Sequence, residues 1–312
     1  MASPLSLVFC GTPGFAVPTL QALVRAGFDV RLVVTQPDRP RGRGLELSHS
    51  PVKACALELG IPVTQPSKIK NNDEFRGKLT ELKPNAIVVV GYGRIIPDWM
   101  LELPEFGNIN LHASLLPKYR GAAPIQWAIA NGETITGVTT MRIDEGLDTG
   151  DILLQKEVEI GPDDTAETLS PRLAGPGAEL TVETLSNLAA GAIRARPQDH
   201  AVATLAPILK KEDGRIDFQR SAFESHNRLR GFQPWPGAFT TFRGKNLNVW
   251  AARPIHKKLA AGEMSVDGNS LTVGCAGGTA LGLLAVQPEG KKRISVCDFI
   301  HGYRPQAGER LG

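Results

Sequence analysis

A run of five consecutive apolar residues, Ala86–Val90, constrains the fold of this chain more than any other stretch. A strand that is apolar on both faces has to be covered on both faces, which is typical of a central strand in a parallel sheet. Residues 5–9 and 30–34 also predict buried strands, and helical patterns occupy residues 16–26, 52–59 and 73–82. Strands that alternate with helices in this way indicate an α/β fold.

The first predicted strand leads through a tight glycine turn, Gly11 to Gly14, into the first predicted helix. This opening matches only in part the glycine-rich fingerprint that binds dinucleotides at the start of a helix. It lacks the third glycine, and the second strand ends at residues 35–38 without a clear acid for the ribose hydroxyls. The sequence therefore does not predict a nicotinamide cofactor.

The stretch NINLHASLLPKYRGAAPI, residues 108–125, places polar side chains on one face of a further predicted strand. Successive side chains of a strand alternate between its two faces, so Asn108, Asn110 and His112 share one face. The prolines and the glycine that follow predict a sharp turn. Open α/β sheets usually carry their chemistry at such strand ends, although a histidine on a half-buried strand is often only structural.

The segment DEGLDTGD, Asp144 to Asp151, carries four carboxylates between two predicted strands at residues 138–143 and 152–160. Carboxylates among glycines can bind a divalent cation. The spacing departs from the EF-hand pattern, however, and no second acidic cluster in the sequence completes a site. No metal site is predicted.

Positive charge is concentrated at the end of the chain. The formal charge of the whole chain is only +3, with 35 basic and 32 acidic residues. Residues 1–205 contain 19 lysines and arginines against 23 acids, a charge of −4, whereas residues 206–312 contain 16 against 9, a charge of +7. This asymmetry predicts a polyanionic partner for the last third of the chain, with a solvated basic face as the open alternative.

The last third of the chain also differs in its predicted structure. Five short alternating strands are predicted at residues 238–242, 247–251, 271–275, 280–286 and 293–299, which is typical of a small β-barrel. Residues 191–207 mix small residues, arginine and proline without periodicity and predict a linker. The sequence therefore predicts two domains.

Two of these motifs together resemble the signature of the folate-dependent formyltransferases. They are Asn110-X-His112 followed by the SLLP segment, and the DEGLDTGD loop. The resemblance implies that Asn110, His112 and Asp148 are catalytic, that 10-formyltetrahydrofolate donates the formyl group and that no metal takes part. It further implies folate contacts from Ser114, Leu115, Leu116 and Pro117, and from Gly91 and Tyr92 beside the pterin ring.

Over its whole length the chain resembles those family members that formylate the methionine of initiator methionyl-tRNA. This implies a Rossmann-like catalytic domain at residues 1–190, a linker at 191–207 and an OB-like β-barrel domain at 208–312 that binds tRNA. It also implies that a basic loop, residues 37–51, reaches the acceptor stem, and the glycines between its arginines predict irregular structure. Where these family members usually have a pair of lysines in the loop, this chain has Leu45-Glu46. The expected tRNA contacts are Arg41, Arg43, Lys210, Lys211, Arg243 and Lys245.

Other functions stay open at this point. Family members that formylate glycinamide ribonucleotide or an amino sugar, or that hydrolyse formyltetrahydrofolate, share the same three catalytic residues, and a non-catalytic RNA-binding protein is an alternative of another class. The basic loop and the basic C-terminal region favour tRNA. Because the sequence lacks a long apolar stretch and a signal-peptide pattern, we expect a cytoplasmic protein without membrane contact. No obligate protein partner is implied.

Overall fold

The computed structural model of the chain describes residues 5–41 and 46–312, with the backbone only at residues 39–41, 46 and 47. The chain divides into two compact units. Unit 1 comprises Met1–Pro124, Ile135–Glu159 and Ser170–Pro207, and unit 2 comprises Ile125–Thr134, Ile160–Leu169 and Ile208–Gly312. The α/β class is confirmed, because unit 1 holds a largely parallel sheet with helices and unit 2 holds an antiparallel sheet.

Unit 1 is built on a sheet of seven strands. Its strands and those of a separate hairpin are β1 (Ser6–Gly11), β2 (Asp29–Val34), β3 (Arg39–Arg41), β4 (Glu46–Ser48), β5 (Val63–Thr64), β6 (Ala86–Val90), β7 (Asn108–His112), β8 (Ile135–Arg142) and β9 (Ile152–Glu159). The sheet order is β5-β2-β1-β6-β7-β8-β9, and β8 runs antiparallel to both of its neighbours, β7 and β9, while the other neighbouring pairs are parallel. The carboxyl ends of β1, β6 and β7 therefore meet at one edge of the sheet.

Among the described residues of the first two-thirds of the chain, the first three α-helices match the predicted helical segments 16–26, 52–59 and 73–82. The α-helices of this part are α1 (Val17–Arg25), α2 (Pro51–Glu58), α3 (Asp73–Leu82), α4 (Asp98–Leu101), α5 (Pro124–Ala130) and α6 (Ala166–Ala189). The hydroxyl of Ser50 accepts a hydrogen bond from the Lys53 amide at 3.0 Å and thereby caps the start of α2. The side-chain oxygen of Asn72 caps α3 in the same way through the Phe75 amide.

Strand β6 lies inside the sheet, between β1 and β7, as its apolar sequence predicts. All five of its residues are buried, and Ile87 and Val89 pack in one cluster with Phe75 and Leu79 of α3. Full burial of one such side chain stabilises a fold by about 1.5–3 kcal/mol. Strand β6 therefore gives the neighbouring strand β7 a well-packed support.

The basic loop between residues 37 and 51 is more regular than its glycines predict. Strands β3 and β4 pair antiparallel, with Arg39 opposite Ser48 and Arg41 opposite Glu46. The prediction of irregular structure is therefore wrong for residues 39–41 and 46–48, which contain no glycine and pair through their backbones. The glycines on which the prediction rests, Gly42 and Gly44, lie outside the described residues. Arg41 lies in β3, and Arg43 lies outside the described residues.

Unit 2 contains an antiparallel sheet with helices. Its strands are β10 (Ala238–Phe242), β11 (Lys245–His256), β12 (Met264–Asp267), β13 (Ser270–Gly274), β14 (Thr279–Pro288) and β15 (Ile294–Ser295), and its helices include α7 (Ala222–Gly231) and α8 (Val296–Tyr303). The sheet order is β10-β11-β14-β13-β12, with β15 against β14. The small β unit is confirmed, and its closure into an OB-like barrel stays a prediction.

One predicted strand of unit 2 is wrong. Residues 293–299 form only the short strand β15 and then the start of helix α8. The hydroxyl of Ser295 accepts a hydrogen bond from the Asp298 amide at 3.1 Å and caps the helix, and Val296 and Phe299 bury on one helical face. The apolar residues of this segment satisfy a helical period as well as an alternating one, and the cap decides between them. Strand β12 was not predicted.

Two further sequence features can be placed in the fold. Among the helices that the structure describes, none is both long and apolar enough to cross a membrane. The four cysteines, which lack metal-ligand spacing, are free thiols, and three of them are buried, namely Cys10, Cys55 and Cys275. Burial raises the pKa of the Cys275 thiol to about 11, so this sulfur stays protonated and packs as a small apolar group.

Candidate active site

The three predicted catalytic side chains meet at the carboxyl edge of the unit 1 sheet. Asn110 and His112 lie on β7, and Asp148 lies in the loop between β8 and β9. The Nδ2 atom of Asn110 donates to Oδ1 of Asp148 at 3.5 Å, and Oδ2 of Asp148 lies 3.6 Å from Nδ1 of His112. One carboxylate thus contacts both the amide and the imidazole.

The contacts of His112 distinguish its two ring nitrogens. Nε2 lies 2.8 Å from the carbonyl oxygen of Tyr119, and since a carbonyl can only accept, Nε2 carries a hydrogen. In the neutral ring the free lone pair is then on Nδ1, the nitrogen that faces Asp148. The arrangement assigns the uptake and release of a proton to Nδ1.

Asp148 occupies a backbone conformation that few residues with a side chain adopt. Its φ of 51° lies in the left-handed region, which costs free energy unless the surroundings hold the residue there. The amide of Gly121 donates to its Oδ2 at 2.8 Å. Earlier in the same loop, the hydroxyl of Thr149 and the amide of Gly146 donate to the Asp144 carboxylate at 2.7 and 3.0 Å. Bonds to Asp144 within the loop, together with the bond from Gly121 outside it, therefore fix the position of Asp148.

A segment that the sequence predicts as a linker lies beside these residues. Residues 196–206, which we call the strap, are hydrogen-bonded at both ends to other segments of unit 1. Arg196 and Ile152 exchange two backbone hydrogen bonds of 2.8 Å, and the Ala206 amide donates to the Arg120 carbonyl at 2.7 Å. In between, the Arg120 amide donates to the Thr204 carbonyl at 2.9 Å. The strap thus runs along the turn that follows β7.

The turn of Ser114, Leu115, Leu116 and Pro117, predicted to contact folate, is held by its own chain. Oγ1 of Thr139 donates to the Ser114 carbonyl at 2.7 Å. The same Oγ1 atom accepts from the Leu116 amide at 3.2 Å. The side chain of Gln155 donates to the Leu116 carbonyl at 2.9 Å. Three backbone polar groups of the turn are thereby paired within the chain, and the half-buried Leu115 and Pro117 present mainly apolar surface.

Gly91 and Tyr92 follow the end of β6, next to β7. Gly91 has a φ of 56°, and a Cβ atom added there would lie 2.8 Å from Cγ of Pro13, so both the backbone and the space require glycine. Tyr92 is buried, which raises the pKa of its hydroxyl. Among the described residues, that hydroxyl has no hydrogen-bond partner. Both residues lie at the sheet edge that carries His112.

Asp38 is a further polar centre of unit 1, which no motif of the sequence indicates. It lies just before β3, and its carboxylate contacts His49 just after β4, at 3.0 Å. It also accepts from Nζ of Lys53 at 2.6 Å and from Nε2 of Gln65 at 2.8 Å. The hydrogen bond from Lys53, followed by that from Gln65, lowers the pKa of Asp38 to about 2. This carboxylate therefore joins the two ends of the basic hairpin.

The basic residues that were predicted in unit 2 differ in their surroundings. Lys210, Lys211 and Lys245 are exposed. Arg243 instead donates from Nε and Nη2 to the Glu309 carboxylate at 2.9 and 3.0 Å, and its Nη1 donates to a backbone carbonyl at 3.0 Å. The lysines present free surface charge, whereas the guanidinium of Arg243 holds the C-terminal segment of unit 2.

A resident metal finds little support in the chemistry of these side chains. Over residues 5–41 and 46–312, no group of three or more His, Cys, Asp or Glu side chains is arranged to hold a metal ion. The carboxylate of Asp148 is already committed to Asn110, His112 and the Gly121 amide. The side chains of the site are arranged for hydrogen bonding and proton transfer.

An open α/β sheet that brings an amide donor, an imidazole and a carboxylate together at its carboxyl edge defines an enzyme suited to acyl transfer. Sequence comparison identifies the family. A family model described as formyl transferase matches residues 6–185, and a second, described as the formyl transferase C-terminal domain, matches residues 208–304. The chain therefore belongs to the formyl transferase family, which confirms the resemblance seen in its motifs.

Similar proteins extend this assignment over the whole chain. A methionyl-tRNA formyltransferase of Koribacter versatilis is 66% identical over 306 residues, covering 98% of both chains. One of Acidobacterium capsulatum is 59% identical and covers 99% of this chain and 100% of its own. Among solved structures, an N-formyltransferase from Helicobacter canadensis in complex with folinic acid and dTDP-3-aminofucose shares the fold, with a TM-score of 0.68, 20% identity and coverage of 91% and 99%.

Proposed function

We propose that this protein transfers the formyl group of 10-formyltetrahydrofolate to the amino group of methionine on initiator methionyl-tRNA, giving N-formylmethionyl-tRNA for translation initiation. One observation carries the proposal. Asp148 contacts both Asn110 and His112 at the edge of the sheet, in a chain that is 66% identical to a methionyl-tRNA formyltransferase along almost its whole length.

The three side chains divide the chemistry of formyl transfer between them. The amine nitrogen forms a bond to the formyl carbon, and the bond from that carbon to the folate nitrogen breaks. Asn110 donates its amide hydrogen to the oxyanion that forms between these steps, and an amide donor does not titrate near neutral pH. His112 moves the proton from the attacking amine to the leaving folate nitrogen through Nδ1, and Asp148 orients both groups.

The folate cleft of this proposal lies between the turn at Ser114–Pro117 and the residues after β6. Leu115 and Pro117 offer apolar surface to a flat ring, while Gly91 permits close backbone approach. The buried Tyr92 hydroxyl, which lacks a partner among the described residues, supports a polar ligand nearby. When bound, the folate supplies the formyl group, and the residues named here hold it and exclude water.

Binding of tRNA is assigned to the basic residues of both ends of the chain. The charge of +7 over residues 206–312 and the exposure of Lys210, Lys211 and Lys245 support contacts with the phosphate backbone. Arg41 and Arg43 of the basic loop, residues 37–51, are assigned to the acceptor end. Arg243 is the weakest of these candidates, because Glu309 already pairs with its guanidinium.

The domain assignment and the location follow from the same proposal. Residues 1–190 form the catalytic domain, 191–207 join it to the tRNA-binding domain, and 208–312 form that domain. The two family matches, at residues 6–185 and 208–304, support this division. Initiator tRNA and folate are then the two partners, and a cytoplasmic location suits both.

The acceptor amine decides between this function and its rivals. The purified protein is incubated with 10-formyltetrahydrofolate and, in separate reactions, with methionyl-tRNA, free methionine, glycinamide ribonucleotide or a nucleotide-linked amino sugar. Formylation of methionyl-tRNA at a rate far above the others is expected. Preferential formylation of the ribonucleotide or the sugar, formate release without an acceptor, or tRNA binding without any transfer would each refute the proposal.

A further inference from the structure

The side chain of Gln198, in the strap, uses all of its hydrogen-bonding capacity at the catalytic loop. Its Nε2 atom donates to the carbonyl oxygen of Asp148 at 2.9 Å and to that of Gly150 at 2.7 Å. Its Oε1 atom accepts from Nε and Nη2 of Arg120 at 3.1 and 2.7 Å. The side chain is 5% exposed, so these bonds form where water does not compete.

The two carbonyl groups that Gln198 binds belong to the turn that carries the catalytic aspartate. Asp148 has a φ of 51°, a conformation that persists only where neighbouring groups hold it. Gly150 follows two residues later and ends the turn. An amide that binds both carbonyls fixes the turn from its backbone side, while Asn110 and His112 contact the carboxylate from the other.

Arg120 connects this support to the imidazole as well. The residue before it, Tyr119, accepts the hydrogen bond from Nε2 of His112 at 2.8 Å, and the residue after it, Gly121, donates to the Asp148 carboxylate at 2.8 Å. Arg120 itself is 6% exposed, and its guanidinium also lies 3.2 Å from Nδ1 of His200 in the strap. The charge-assisted bonds from Arg120 to Gln198 therefore tie the strap to the segment that holds both catalytic groups.

We propose that Gln198 is a positioning residue for the transfer reaction: its amide fixes the 148–150 turn so that the carboxylate of Asp148 reaches Asn110 and His112. The inference rests on the proposed catalytic roles of those three residues. Gln198 touches neither substrate in this account and acts only through Asp148. Its loss should therefore reduce turnover without weakening the binding of either substrate.

Two substitutions test the role of the amide. Gln198→Leu keeps a similar volume and removes both donors, whereas Gln198→Glu keeps the contact with Arg120 and turns one acceptor oxygen toward the two carbonyl oxygens. Each variant should lower kcat by about 10- to 100-fold, as expected for a misplacement of about 1 Å, with the KM for both substrates nearly unchanged. A folded variant of either kind with the kcat of the wild-type protein overturns the proposal.

A matched control separates positioning from loss of stability. Asn108 is also buried, and its amide donates to the carbonyl oxygens of Met100 and Leu101 at 2.7 and 3.3 Å, at the opposite end of β7. Asn108→Ala should lower the melting temperature but leave kcat close to that of the wild-type protein. An equal loss of kcat in Asn108→Ala and Gln198→Leu would mean that Gln198 has only a structural role.

A double-substitution cycle tests whether Gln198 acts through the aspartate. In an Asp148→Ala background, Gln198→Leu should change kcat by less than about twofold, because the group that it positions is already gone. Asn108→Ala should have the same effect on stability in both backgrounds. If Gln198→Leu lowers kcat by the same factor with and without Asp148, the proposal is wrong.

Hydrogen exchange measured on the full chain decides the question even if the acceptor is not methionyl-tRNA. Gln198→Leu should accelerate amide exchange in peptides that cover residues 119–123 and 144–151, since the Gly121 amide donates to Asp148. Asn108→Ala should not accelerate it there. Unchanged exchange in both peptides overturns the positioning role, whereas failure of wild-type protein to formylate methionyl-tRNA overturns only the proposed function.

Discussion

Gly150 lies two residues after Asp148, and its backbone passes close to the end of β8. A Cβ atom added at Gly150 would overlap the carbonyl oxygen of Arg142 and lie 2.9 Å from its carbonyl carbon. Both atoms belong to the backbone, so no side chain can rotate away. Because non-bonded heavy atoms rarely approach closer than about 3 Å, relief of the overlap with the oxygen moves the turn by roughly 1 Å or more. Gly150→Ala therefore displaces the turn that carries Asp148.

The displacement predicts the size of the effect on turnover. A misplacement of about 1 Å typically costs about 100-fold in rate, so Gly150→Ala should lower kcat by about that factor. The strain should also destabilise the fold by about 1–3 kcal/mol, as measured by chemical denaturation. Initial rates of formyl transfer to methionyl-tRNA at saturating substrates give kcat, and near-ultraviolet circular dichroism shows whether the variant is folded.

Gly77 provides the matched control within the same unit. It lies in α3, and an added Cβ atom there meets no atom within 4 Å. Gly77→Ala should keep full activity and stabilise the protein by up to about 1 kcal/mol, because alanine favours the helix interior. Wild-type kcat in a folded Gly150→Ala protein would refute the reasoning that the position of this turn limits the reaction.

Three further predictions concern other parts of the molecule. His112→Ala and Asn110→Ala should each lower kcat by about 100- to 1000-fold without unfolding the protein; near-normal turnover in folded His112→Ala would remove the catalytic assignment. Asp38 has a folded pKa of about 2 against an ordinary 3.8, so its stabilising contribution is complete above about pH 4 and is lost as the pH falls toward 2. Chemical denaturation of Asp38→Asn should show a weaker loss of stability in that pH window; the same pH dependence as in the wild-type protein would contradict the contacts of Asp38 with Lys53 and Gln65. Lys210→Ala combined with Lys211→Ala should raise the tRNA KM and reduce the slope of log KM against log salt concentration by about one unit per lost phosphate contact. Arg243→Ala should lower the melting temperature and leave that slope unchanged; the reverse pattern would make Arg243 the tRNA contact.

The parts of the site that the sequence predicts are those set by local rules. The apolar run at β6 places a central strand, and alternation along β7 places Asn110 and His112 on one face at its carboxyl end. Asp148 is located through the resemblance of its loop, and the structure brings it to the other two. These predictions depend on period and motif, which a sequence carries directly.

Gln198 shows why the remainder of the site is hidden from the sequence. It stands in a segment without periodicity, and such composition is also that of a linker. Its function depends on bonds to residues 48 and 50 positions away in the chain and to an arginine 78 positions away. Only tertiary structure brings these groups together, because no local preference distinguishes a buried glutamine that pairs with two carbonyls from an exposed one.

The basic residues illustrate the same distinction for charge. A net charge of +7 over residues 206–312 is a property of the sequence, but it does not separate a free lysine from a paired arginine. Lys210 and Lys211 stay exposed. The guanidinium of Arg243 instead donates to the Glu309 carboxylate and to the backbone carbonyls of Tyr303 and Arg304. A guanidinium held in this way would have to give up its bonds before it could contact a phosphate, and that cost falls on its affinity. Exposed lysines would meet a phosphate without this cost, so under the proposed function we expect Lys210 and Lys211 to contribute more to tRNA affinity than Arg243.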